Sequence, residues 1–205
     1  MNEQTVQHLF DRVLSDLKDG LSEHLTYHSV HHTMDVIEQT MAIAKREGIS
    51  SARDLLLLKV AALYHDTGFL IIYKGHEEES CKKAKKELPA LAFTTTEIER
   101  ICGMIMATKI PQQPKNLFEQ ILADADLDYL GRTDFKKISS LLEAEFIIYG
   151  ITKGNASFEK LQLDFLSSHE YFTKSSRQLR APVKKEHYEE QKKNYLTHHS
   201  INRNS

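Results

Sequence analysis

The chain has 205 residues, 40% of them apolar, and carries 27 Lys and Arg against 29 Asp and Glu. That length suits one domain with its own core, and the near-balanced charge argues against a nucleic-acid polymer or an anionic membrane as partner. Neither a long apolar run nor a basic-then-apolar leader is visible, so no membrane span or signal peptide is expected and a cytoplasmic location is. The two cysteines, Cys81 and Cys102, lack a CxxC companion and are expected as reduced thiols.

With eight Gly and four Pro, little interrupts a helical period. Val6, Leu9, Phe10, Val13, Leu14 and Leu17 predict an amphipathic helix over residues 3–18. A second helix carries Val36, Ile37, Met41 and Ile43 and stops at Gly48. Ser51 is placed to cap a third helix, apolar enough from Leu55 to Leu63 to be central and buried. It delivers His65 and Asp66 just before Gly68. A polar helix follows from about His76 to Leu88, ended by Pro89. Thr96 and Glu99 have the spacing of a capping box for the next helix.

Residues 109–116 form the clearest loop. Asp124, Asp126 and Asp128 are expected at or near the start of a helix that stops at Gly131, where acidic residues favour the dipole. Thr133 is expected to cap a helix with Phe135, Ile138, Leu141, Leu142 and Phe146. Phe158, Leu161, Phe165 and Phe172 mark a further helical face. Charged helix continues to about Tyr195, and residues 196–205 are expected as a disordered tail. No segment alternates like a strand pair. The expected fold is all-α, a single-domain helical bundle over residues 1–195.

Chemistry concentrates in three places. His28 and His32, four apart, would face the same way on a helix, with His31 turned aside. His65 and Asp66 are adjacent, and adjacent side chains aim at one point only where a helix ends. The acidic cluster supplies more carboxylates. Imidazole with carboxylate and no thiolate suits one divalent ion (Mn, Mg, Fe, Ni, Co or Zn) without selecting among them. Helical bundles build such sites from facing helices. Each piece alone has an ordinary alternative as cap, core or solvated residue; the order of the pieces makes the stronger case.

That order, His, then His-Asp, then Asp, resembles the HD superfamily of metal-dependent phosphohydrolases, over roughly residues 20 to 135. The stretch Tyr27-His28-Ser29-Val30-His31-His32 is similar to the opening motif of class I cyclic nucleotide phosphodiesterases. The resemblance implies an HD-type helical domain with His32, His65 and Asp66 as metal ligands and His28 as the acid that protonates the leaving oxygen. It implies a last ligand in Asp126 or Asp124, with Ile121, Leu122 and Ala125 favouring Asp126, and Asp128 as the outside candidate. His76-Glu77-Glu78-Glu79-Ser80 resembles a stretch of small bacterial HD proteins that also carry a DADL motif, which makes Glu77 an acid–base or supporting candidate. A GYP motif is absent, and the extra histidines of a two-metal site are not evident, so one metal is expected.

Two further groups are candidates for a substrate phosphate: Lys109, before the proline loop, and Arg177, in a basic stretch with Arg180, Lys184 and Lys185. The expected function is hydrolysis of a small phosphoester, in the first place a nucleotide, by metal-bound hydroxide. The alternative is a catalytically weak, metal-dependent nucleotide-binding regulator. Substrate identity and oligomeric state are not readable from the residues.

Overall fold

The computed structural model describes residues 3–201, and among them every regular element is helical. The chain forms two compact units, Met1–Leu127 and Asp128–Ser205.

The first unit contains α1 (Glu3–Gly20), α2 (Val30–Arg46), α3 (Ala52–Tyr64), α4 (His76–Glu87), α5 (Thr95–Ala107) and α6 (Leu117–Asp126). Its centre is α3. The side chains of Leu57, Leu58 and Val60 to Tyr64 are fully buried, because this helix is apolar around most of its circumference. It packs against α1, α2, α4, α5 and α6, and α2 also packs against α6. The Ser51 side chain caps α3 by accepting from Asp54 N, as its position predicts.

Three local expectations need correction. The capping box of α5 is Thr94 with Glu97, not Thr96 with Glu99; Thr94 has the extended backbone a cap requires, and Thr96 already lies in the first turn. The acidic cluster does not open a helix. Asn116 caps α6, its side chain accepting from Phe118 N and Glu119 N, so Asp124 and Asp126 fall in the last turn. Thr133 caps nothing: α7 (Phe135–Ile148) follows Asp134, whose carboxylate is taken by Arg132 at 3.0 Å and makes no cap.

In the second unit α8 (Asn155–Ser168), α9 (Lys174–Leu179) and α10 (Ala181–Ile201) follow α7. Phe172 lies beyond α8, in the connection to α9. A single 3-10 turn, Asp128–Gly131, packs on α10. Asp128 is buried there, 2.8 Å from Arg180 Nε and 3.7 Å from an Arg132 terminal nitrogen. Residues 196–201 of the expected tail continue α10; residues 202–205 lie outside the described residues.

One buried network in the first unit sets a stability test. Tyr64, fully buried, donates to Glu87 at 2.7 Å, and Arg12 and Lys83 hold the same carboxylate. Burial opposes ionisation of Glu87, but those donors hold its pKa down at about 2. The stabilisation is therefore complete above the ordinary Glu range near 4.5 and is lost as pH falls toward 2. Glu87→Leu leaves the Tyr64 hydroxyl unpaired and lowers stability by about 1–3 kcal/mol in denaturant melts. Adding Tyr64→Phe recovers part of the loss; strict additivity of the two changes would contradict the pairing.

Candidate metal centre

The centre is assembled at the ends of three helices. α2 starts at Val30, so His32 stands in its first turn, buried, while His31 is exposed. His28 lies in the turn before α2 rather than on the helix, and its ring sits 5.7 Å from that of His32. α3 ends at Tyr64, and His65 and Asp66 occupy the turn that leaves it. The helix therefore does end where two adjacent ligands need it to. α6 ends at Asp126.

His32 Nε2 and His65 Nε2 face each other at 3.3 Å. Asp66 Oδ2 lies 3.1 Å from His65 Nε2 and 3.4 Å from His32 Nε2. Asp126 Oδ1 lies 3.1 Å from His32 Nε2 and 3.5 Å from His65 Nε2. Asp124 is two residues away on the same helix, roughly 200° around it, and cannot aim at the same point. It is fully buried.

Among the described residues, His32, His65 and Asp66 offer one ligand atom each within 4.8 Å of one another. The donor set fits a divalent cation for three reasons. Two imidazole nitrogens at this distance repel unless a cation or proton lies between them. His65 Nδ1 donates to Ala62 O at 2.8 Å, which turns the Nε2 lone pair inward. Asp66 Oδ2 is buried and makes no well-formed hydrogen bond among the described residues.

Without metal, protons supply the positive charge. Burial opposes a charged His65, yet the Asp66 and Asp126 carboxylates outweigh it and raise its pKa well above the usual imidazole range. Burial likewise opposes ionisation of Asp66, and the His65 charge holds it well below the carboxylate range. Asp126 is brought down to about 2 by His32 and His65 despite its burial.

The sequence reading missed two supporting residues. His76 Nε2 lies 3.4 Å from Asp66 Oδ1, while its Nδ1 is 3.0 Å from Tyr73 O and its ring stacks on Phe69 at 3.8 Å. Buried Glu77 stands 3.7 Å from the same His76 nitrogen. Ser80 is fully buried; its hydroxyl donates to His65 O at 2.7 Å and accepts from Gly68 N at 2.8 Å. It fastens α4 to the turn that carries His65 and Asp66. Gly68 permits this closeness, since a Cβ there would stand 1.8 Å from His76 O. The signal available in the sequence was a histidine returning ten residues after Asp66, directly after Gly75.

The phosphate candidates are already engaged. Lys109 pairs with Glu78, and Arg177 Nε donates to Tyr171 O at 2.8 Å. Arg180 is spent on Asp128, and Lys184 donates to Leu166 O at 3.1 Å and to His169 O.

Comparison with known proteins agrees with this geometry. Residues 30–128 match the HD-domain family model. No curated protein matches the chain. Three solved structures are similar in fold. A predicted HD superfamily hydrolase from an uncultured Thermotogales bacterium is 19% identical with a TM-score of 0.60, covering 97% of this chain and 99% of that one. A Lactobacillus plantarum protein is 16% identical with a TM-score of 0.66, covering 96% and 99%. Bacillus subtilis YpgQ, solved in complex with ADP, is 18% identical with a TM-score of 0.60, covering 93% and 96%. No helix among the described residues is long and apolar enough to cross a membrane.

Two measurements follow from the geometry. A metal ion must displace the proton that the carboxylates hold on His65, so affinity for Mn climbs as pH rises through the raised imidazole pKa, with about one proton released per ion. A flat affinity from about pH 6 to about pH 9 would contradict the proton's place at this site. Ser80→Ala leaves Gly68 N and His65 O unpaired and weakens metal binding about 10- to 100-fold while the helical content is kept. Unchanged affinity in that variant would show that the turn needs no fastening.

The match to the HD-domain family model over residues 30–128 thus spans all four converging side chains, His32, His65, Asp66 and Asp126, and the likeness in fold to the three solved structures extends over most of the chain.

Proposed function

We propose that the protein is a metal-dependent phosphohydrolase that cleaves a small phosphoester, with a nucleotide as the favoured substrate. The observation that carries this reading is the convergence of buried His32, His65 and Asp66 and half-buried Asp126 on one point beside the half-buried His28. His32, His65 and Asp66 would hold the ion, with Asp126 as the fourth ligand in preference to Asp124. A divalent ion bound there lowers the pKa of its water and polarises a phosphoryl oxygen.

The chain's own residues supply the rest. Asp66 presents one oxygen to the ligand nitrogens and the other to His76, so His76 fixes the carboxylate's rotation and Glu77 steadies His76. His28 packs against Phe69 at 4.4 Å and Tyr27 at 4.6 Å, which hold its ring beside the centre. As an imidazolium it would donate its proton to the departing alkoxide. The apolar rings around it limit water at the point of proton transfer. The nucleotide assignment draws support from the ADP in the similar YpgQ structure.

The test supplies Mn, Mg, Ni, Co, Fe(II) or Zn to metal-stripped protein with nucleotides and p-nitrophenyl phosphoesters. Turnover is expected with at least one metal and lost in His65→Ala. His28→Ala lowers kcat about 10²- to 10⁴-fold on a nucleotide, whose leaving group needs a proton. The same change has little effect on a p-nitrophenyl ester, whose leaving group does not. An equal loss on both substrates would remove His28 from the acid role. Tight nucleotide binding without turnover for any metal would favour the regulator instead.

A further inference from the structure

Outside the metal centre, α4 and α5 bring the two cysteines face to face. Cys81 Sγ lies 3.6 Å from Cys102 O, and Cys102 Sγ lies 3.8 Å from Cys81 O. Such reciprocal contacts require two residues directly opposite each other on packed helices. Both are free thiols and nearly buried, yet both line an open cavity of about 710 Å³, shared with Lys82, Lys85 and Pro111. The cavity gives a small solute a route to these two residues, which are 8% and 5% exposed.

The two thiols are unequal. The side-chain hydrogen bond that the Cys81 thiol makes with the Cys102 thiol lowers the Cys102 pKa, opposed by burial and aided by Lys85. The same bond, followed by burial, raises that of Cys81. Cys102 has the greater thiolate character and Cys81 holds the proton.

We propose that Cys81 and Cys102 are a modification site, a dithiol that small hydroperoxides oxidise to a disulfide joining α4 to α5. The Cys102 thiolate attacks the peroxide, breaking the O–O bond; sulfur is oxidised to sulfenic acid, and the peroxide is reduced to water or an alcohol. Cys81 sulfur then attacks the sulfenic sulfur, the S–S bond forms, and hydroxide leaves with the Cys81 proton as water. Thiol exchange with an external dithiol reverses the step.

The neighbouring residue links this site to the metal centre. Ser80 precedes Cys81 and holds both His65 O and Gly68 N, so drawing Cys81 toward α5 pulls on the turn that carries His65 and Asp66.

The experiment treats the native full-length chain with hydrogen peroxide, alkylates free thiols and digests without reduction. A Cys81–Cys102 linked peptide, short of two hydrogens and released by dithiothreitol, is the expected product. Cys81→Ser should instead trap a dimedone-reactive sulfenic acid on Cys102, in higher yield than Cys102→Ser gives on Cys81. Thiols that stay fully alkylatable, or that advance to sulfinic acid with no linked peptide, would overturn the site. The oxidised protein should bind Mn about tenfold more weakly, with affinity restored by dithiothreitol. Equal affinity in both forms would overturn the link to the metal centre and leave the disulfide itself standing. None of these readouts depends on phosphoester turnover.

Discussion

Two imidazole nitrogens pointing at each other across 3.3 Å in a buried pocket are the constraint on which the first unit turns. Unless a proton or a cation lies between them, their lone pairs repel. In the absence of metal that place falls to a proton, held on His65 by Asp66 and Asp126; a divalent ion would take it among the same partners. The desolvation that burial imposes on each group is why the four must stand together. Removing any one leaves a charged neighbour without its partner.

The fold supplies that arrangement by ending helices at the right places. α3 is apolar enough to run through the middle of the unit, and its end releases His65 and Asp66 into a turn where consecutive side chains converge. The turn is then fixed from outside. Ser80 bonds both its ends, and Gly68 lets α4 approach to a distance no side chain would allow. Phe69 in the same turn stacks on His76 and also touches His28. A short segment thus positions ligand, supporting carboxylate partner and proton-donor candidate together.

Much of this was legible in the residues, and the exceptions have physical causes. Helix periodicity marked α1 and α2, because one-sided burial leaves a 3.6-residue trace in apolar spacing, whereas α3 showed itself by its unbroken apolar content from Leu55 to Leu63. The order His, His-Asp, Asp pointed to the HD-domain model that residues 30–128 match, because those residues in that order are chemically demanding and rarely align by accident. Caps were less readable: Thr94 and Thr96 are both followed three residues later by Glu, and only the backbone decides which one leads. The acidic cluster was misplaced to a helix start because surface statistics favour acids there, whereas partnership with His32 and His65 keeps Asp126 ionised at a helix end. His76 and Ser80 went unseen as supports since contacts across a chain reversal leave no periodic signal. The cysteines were expected as reduced thiols and are free; that they face each other could not be read, because that contact exists only between two packed helices.

The central claim is that His32, His65, Asp66 and Asp126 hold a single divalent ion. Elemental analysis of the as-purified protein beside His65→Ala tests it most directly. The account predicts about one equivalent of a transition metal per chain in the wild type and almost none in the variant, with both proteins equally helical. Equal, negligible metal in the two, or equal metal retained in both, would contradict it.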